Sequence, residues 1–140
     1  MERFKIISAV HLFLIKDNKV LLLRRFNTGW QDGNYSVPAG HLDGNETVTS
    51  AMLREAKEET GIAPQNLKVI HVMDRKTERE SIDFFFVASK WQGDIVIGEP
   101  EKCDDLSWFS LNNLPSNTIP YIRLALENYQ KNIFYSEFGW

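Results

Sequence analysis

Beyond Asn45 the apolar residues stop alternating and recur at helical spacing. Val48, Met52 and Ala56 lie four apart, with Leu53 beside them and charges between. Asn45 reads as the N-cap, and Glu46 suits a first turn. Gly61, with Pro64 three residues beyond, supplies the stop. The spacing predicts one helix over about residues 46–60. On both sides the chain has strand character. Residues 6–15, 20–24, 67–73, 82–90 and 106–109 are rich in β-branched and large apolar side chains. Residues 17–19 and 91–94 read as turns. Residues 26–34 and 40–45 read as polar loops around a short extended piece at 35–37, which Pro38 stops. Residues 119–132 read as a second amphipathic helix with Pro120 in its first turn.

Strands, helix, strands, helix is the order of an α/β (α+β) sandwich with helices covering a mixed sheet. No repeat, low-complexity run or linker divides the 140 residues, so a single domain over 1–140 is expected. The chain is 43% hydrophobic and 25% charged, the balance of a chain that folds. Its net charge of -3 and lack of a polybasic run argue against nucleic-acid and membrane partners. The apolar runs are too short to span a bilayer, and no signal peptide is visible at Met1–Lys5. Cys103 is the only cysteine, so no internal disulfide forms and a reduced, cytoplasmic setting is expected. Cys103 has no neighbouring base and reads as structural.

The chemistry concentrates at the end of the first helix. Glu55 is three residues from Glu58 and four from Glu59, so the three carboxylates share one side. Arg54, four residues before Glu58, is placed to steady that acid. Acids in the last turns oppose the helix dipole, each by roughly 0.3–1 kcal/mol, and the like charges repel. A local rule broken this often points to a functional site. A divalent cation resolves the conflict. Carboxylates without His or Cys are hard oxygen ligands, which favours Mg²⁺, with Mn²⁺ possible, over Zn²⁺. Mg²⁺ usually keeps waters and binds substrate phosphates. Residue chemistry alone therefore leads to metal-dependent hydrolysis of a phosphoanhydride. A solvated helix face is the plain alternative.

Gly40, Glu46, Arg54, Glu55, Glu58, Glu59 and Gly61, with apolar Ala56 and Ile62, fit one pattern, G-x5-E-x7-R-E-U-x-E-E-x-G-U. A chance match has a probability on the order of one in 10⁸ per start position. This is the Nudix box, and the chain resembles a Nudix hydrolase of the MutT-like type. The flanks agree: Val20–Arg25, Tyr35–Gly40, and Trp108-Phe109 with Leu114-Pro115. The resemblance implies an α/β/α sandwich with a mixed β-sheet and cleavage of a nucleoside diphosphate linked to a moiety X. It implies metal binding by Glu55, Glu58, Glu59 and the Gly40 carbonyl. Glu55 is also a candidate base, Glu58 shares the catalytic role, and Arg54 would orient Glu58 or Glu59. Glu46 would brace the loop, and Gly61 would let the chain leave the helix. Many relatives use a further carboxylate; Glu99 and Glu101 are the candidates, with Glu101 carried forward as the metal ligand.

Outside the box, Arg24 and Arg25 are candidates for binding phosphate. Trp30 and Tyr35 are candidates for stacking on a base. His41 reads either as a phosphate or metal neighbour or as a solvated loop residue. His11 and His71 receive no role. The expected partner is a small nucleotide, and the protein is expected to be a monomer or homodimer. A nucleoside triphosphate, oxidised or non-standard forms included, is the first expected substrate, cleaved to the monophosphate and pyrophosphate. The proline that marks relatives acting on ADP-ribose is absent, Thr77 standing in its place. Arg79 and Glu80 stand where members acting on dinucleoside polyphosphates carry a tyrosine, and the aromatic tag of NADH-cleaving members is also missing. The alternative reading is a catalytically silent Nudix-like module that senses a nucleotide; intact box carboxylates weigh against it.

Overall fold

The computed structural model describes residues 1–140. Its elements run β1 (Ile7–Lys16), β2 (Lys19–Arg25), β3 (Tyr35–Ser36), β4 (Ala39–His41), α1 (Val48–Thr60), β5 (Ala63–Gln65) and β6 (Lys68–Lys76). They continue with β7 (Glu80–Ala88), β8 (Lys90–Gln92), β9 (Cys103–Ser110), α2 (Pro120–Gln130) and β10 (Tyr135–Phe138).

β1 organises the layers. Strand side chains alternate between faces. Val10, Leu12 and Leu14 point one way and pack with Ala51, Met52 and Ala56 of α1. Phe13 points the other way, into a core with Met73, Phe85 and Ile122, Ala125 and Leu126 of α2. The sheet therefore lies between two helices. Asp17 and Asn18, both with left-handed φ (52° and 59°), close the hairpin to β2. β1 also runs parallel to β7 and antiparallel to β4. β6 pairs antiparallel with β7, and β10 adds parallel to β6 at the edge. β2 carries β3 and β9, while β5 and β8 form a separate ribbon. The two alanines let α1 lie close to the sheet. Truncating the fully buried Met52 between them to alanine would cost about 2–5 kcal/mol.

The structure corrects several boundaries. α1 begins at Val48, and its N-cap is Thr47, whose hydroxyl accepts from the Ser50 amide. Asn45 has φ 55°, which turns the chain before the helix and does not cap it. Residues 90–92 form a strand, because β5 offers them a partner, and the turn comes at Gly93 with φ 96°. β6 and β9 extend beyond the expected segments because paired neighbours carry them on. β10 had no readable period in its four residues; it forms on the open edge of β6. No helix is long and apolar enough to cross a membrane.

Candidate active site

Three backbone devices shape the end of α1. Gly61 adopts φ 76° and returns its amide to the Lys57 carbonyl. The amides of Val96 and Gly98 donate to the carbonyls of Thr60 and Glu59, at 3.0 and 2.9 Å. A Cβ at Gly98 would overlap the Glu58 carbonyl, so only glycine allows this approach. The docked segment leads Glu99 to the cleft that Glu55, Glu58 and Glu59 line. On the other side, β4 passes so close that a Cβ at Gly40 would overlap the Glu55 carboxylate.

Arg54 ties the box together. Its Nη1 donates to Glu55 Oε1 at 2.6 Å. Nη2 donates to Glu46 Oε2 at 3.0 Å and to the His41 carbonyl at 3.2 Å. Glu58 stands 3.8 Å from Nη1, and Glu59 is held by the Ala39 amide at 2.9 Å. Arg54 therefore fixes Glu55 first, not Glu58 or Glu59, because the guanidinium is already drawn toward Glu46. Glu46 also accepts from the Asp43 amide at 2.6 Å, which ties the loop to the helix.

The carboxylates line a cleft of about 740 Å³. Burial pushes the Glu55 carboxyl above its ordinary value, with Arg54 offsetting part of the rise. Burial, then the charge of Glu55, pushes Glu59 well above the usual range. No three acidic, histidine or cysteine side chains converge on one point at ligand distance. Glu55 is turned to Arg54 and Glu59 to the Ala39 amide. An all-oxygen set of carboxylates, Glu55 and Glu59 partly buried and Glu58 exposed, is suited to a hard divalent cation.

The cleft is also lined by cations and rings. Arg25 donates to the Trp30 carbonyl at 2.7 Å and to Thr28 Oγ1 at 2.9 Å. Its guanidinium lies 4.8 Å from the centre of the Trp30 ring. Both residues line the cleft, but Arg25 is engaged with Trp30. Arg24 points away from the cleft, its Nε 2.7 Å from Asp104. Tyr35 is buried, hydrogen-bonded to Asp105 and packed on Phe109, so it anchors the core and offers no face for stacking. Glu101 is exposed and does not line the cleft, whereas Glu99 does. His41 Nε2 accepts from Arg79 Nη2 at 2.9 Å at the rim, and burial followed by the charge of Arg79 lowers its pKa. His71 bridges the Ile133 carbonyl and Ser136 Oγ, holding β10 to β6. Cys103 is buried and raised in pKa by that burial.

Sequence reasoning missed one part of the cleft wall. Arg75, Asp83, His11 and Tyr121 form a buried polar group there. Burial alone would raise Asp83, yet His11 and Arg75 outweigh it and hold the carboxyl at about 2. Tyr121 is pushed up to about 12 by burial. The available signal is Asp83 at the head of the apolar run of β7.

Comparison with known proteins gives three findings. The family model described as NUDIX domain matches residues 5–129. The chain is 36% identical over 110 residues to the ADP-ribose pyrophosphatase of Methanocaldococcus jannaschii, covering 76% of this chain and 63% of that protein. It is 30% identical over 121 residues to the NAD-capped RNA hydrolase NudC of Shigella dysenteriae, covering 85% of this chain and 46% of the relative. It thus spans less than two thirds of either curated relative. Among solved structures, a MutT NUDIX hydrolase from Burkholderia pseudomallei superposes with a TM-score of 0.83 at 27% identity, over 89% of this chain and 98% of that one.

Proposed function

The chain belongs to the Nudix family, and from that premise we propose that it is a phosphoanhydride hydrolase acting on a nucleoside diphosphate linked to a moiety X. A nucleoside triphosphate, cleaved to the monophosphate and pyrophosphate, is the leading substrate. The observation that carries this reading is that Glu55, Glu58, Glu59 and Glu99 together line a cleft of about 740 Å³, large enough for a nucleotide. The 36% identity to an ADP-ribose pyrophosphatase supports the same bond type and makes ADP-ribose the second substrate to test.

Glu55, Glu58, Glu59 and the Gly40 carbonyl would hold Mg²⁺ or Mn²⁺, with Glu99 as the further carboxylate. A bound divalent cation supplies neutralisation of the diphosphate charge and acidifies water. Glu55 or Glu58 takes the proton from the attacking water. The water oxygen bonds to phosphorus, the bridging P–O bond breaks, and its electron pair leaves with the departing phosphate. Arg54 keeps Glu55 aimed throughout. Trp30 gives the cleft a face for a planar base.

The test is hydrolysis of nucleoside triphosphates, 8-oxo forms, ADP-ribose and dinucleoside polyphosphates, with Mg²⁺ and then with EDTA. Monophosphate and pyrophosphate, formed only with metal, are the expected products. Binding of nucleotide without turnover of any compound overturns the hydrolase and leaves the sensor reading.

A further inference from the structure

Arg25, Thr28 and Trp30 line the cleft from the end of β2 and the loop that follows it, whereas Asp32 of the same loop does not. Backbone bonds close the ends of this loop. The Arg25 amide donates to the Asn34 carbonyl at 2.9 Å, and the Gly33 amide to the Arg25 carbonyl at 2.7 Å. Residues 28–30 have no such bonds. The amides of Thr28, Gly29 and Trp30 donate to side-chain oxygens instead. Packing does not shape the loop's glycines either, since a Cβ at Gly29 or Gly33 would meet nothing within 4 Å. Side chains therefore select the course of this segment from those its glycines allow.

Asp32 is the centre of that selection. Its carboxylate accepts from the Thr28 amide at 3.0 Å, the Gly29 amide at 2.9 Å and the Thr28 hydroxyl at 2.6 Å. The hydroxyl, followed by the two amides, holds the Asp32 carboxyl below its ordinary value. A hydroxyl has one hydrogen to give and two acceptor sites. With the hydrogen on Asp32, both acceptor sites of Thr28 Oγ1 are filled, by Arg25 Nη2 at 2.9 Å and the Trp30 amide at 3.2 Å. Arg25 Nε donates to the Trp30 carbonyl at 2.7 Å, and its guanidinium lies 4.8 Å from the centre of the Trp30 ring. Without Asp32, the Thr28 hydrogen would turn to the Trp30 carbonyl, 2.9 Å away, which already serves Arg25.

We propose that Asp32 is a positioning residue for substrate recognition: from outside the cleft it fixes, through Thr28 and Arg25, the pose in which the Trp30 ring stacks on the base of the nucleotide. The inference rests on the nucleotide-hydrolase reading above and extends it to a residue beyond the cleft lining. A ring set in place before substrate arrives loses little freedom on binding, so the gain appears in affinity. The carboxylates of α1 are not part of this relay, so turnover and metal use should not follow Asp32.

The experiment measures KM and kcat with Mg²⁺ for ATP, GTP, CTP, UTP and ADP-ribose, and competitive inhibition by ribose 5-triphosphate, which lacks a base. The proteins are wild type, Asp32→Ala, Thr28→Ser, Thr28→Val, Trp30→Leu and the Asp32→Ala/Trp30→Leu pair, with thermal melts to establish folding. Asp32→Ala should raise KM for the compounds cleaved by about five- to tenfold, with kcat, the Mg²⁺ requirement and inhibition by ribose 5-triphosphate within about twofold of wild type. Thr28→Ser keeps the hydroxyl and should match wild type, whereas Thr28→Val should follow Asp32→Ala. In Trp30→Leu, removing Asp32 should change KM no further. An unchanged KM in folded Asp32→Ala overturns the inference while leaving the hydrolase intact. Equal weakening of the base-free inhibitor, or a shift that persists without the Trp30 ring, also overturns it. If Asp32→Ala does not fold, the two Thr28 variants decide by the same measures. Hydrolysis of no compound overturns the hydrolase reading itself and this inference with it.

Discussion

Arg54 Nη1 lies 2.6 Å from Glu55 Oε1, while the same guanidinium holds Glu46 at 3.0 Å through Nη2. One planar group therefore joins the loop before α1 to a carboxylate near its end. Lysine keeps the charge but cannot span both partners, since it presents a single point donor. Arg54→Lys is expected to lower kcat by about 10–100-fold and to raise the Mg²⁺ concentration needed for half-maximal rate. A steady-state metal titration checks this. Unchanged metal dependence would mean that Glu55 is held by other contacts.

Glu99 and Glu101 are separated by one proline, and only Glu99 lines the cleft. The amide of Gly98 anchors that segment to the Glu59 carbonyl, which sets the direction of the next side chain. Glu99→Gln should weaken metal affinity and turnover by about 10–100-fold, whereas Glu101→Gln should behave as wild type. Isothermal titration with Mn²⁺ and a turnover assay on both variants separate the two residues. The reverse result would return Glu101 to the metal site.

In the metal-free protein, Glu59 should make stability depend on pH in an unusual direction. Its folded-state pKa lies well above the ordinary 4.5, through burial and then the charge of Glu55. The folded state thus holds this proton more tightly than the unfolded chain does. That contribution is complete below about pH 4.5 and is lost as pH rises through the folded value. Other acids with lowered values, such as Asp83, contribute with the opposite slope, so the comparison with a variant isolates Glu59. In EDTA, Glu59→Gln should gain stability relative to wild type as pH rises from acid to neutral. Added Mg²⁺ should then stabilise the wild type more than the variant. Denaturant melts across pH measure both effects, and parallel curves for the two proteins would contradict them.

What could be read in one dimension follows from how the parts are built. The carboxylates sit on a single helix, where spacing alone fixes which side chains share a side. The wall of His11, Arg75, Asp83 and Tyr121 draws on β1, β6, β7 and α2, so only strand pairing and helix packing assemble it. Arg24 and Arg25 look equivalent as neighbours, but alternation along β2 sends Arg25 into the cleft with Leu23 and Arg24 to Asp104. Tyr35 resembled a stacking residue by its polar surroundings; the contact with Phe109, which places it in the core, joins residues far apart in sequence. At the helix start, Asn45 and Thr47 both suit a cap by residue type, and only the backbone angle distinguishes them.

Gly40 separates the needs of the fold from those of the site. A methyl group there would overlap the carboxylate of Glu55, which is the mobile end of a side chain and not fixed backbone. Glu55 can swing away and leave β4 paired with β1 through Val10 and its neighbours. Gly40→Ala should therefore melt within about 1 kcal/mol of wild type. The displaced Glu55 would lose its contact with Arg54 and its place beside the substrate, and a shift of about 1 Å in such a group can cost about 10²-fold in rate. A circular-dichroism melt paired with a turnover assay should thus show a folded, nearly inactive protein. Wild-type kcat in Gly40→Ala would mean that Glu55 does not need this position, and the base would then be sought at Glu58.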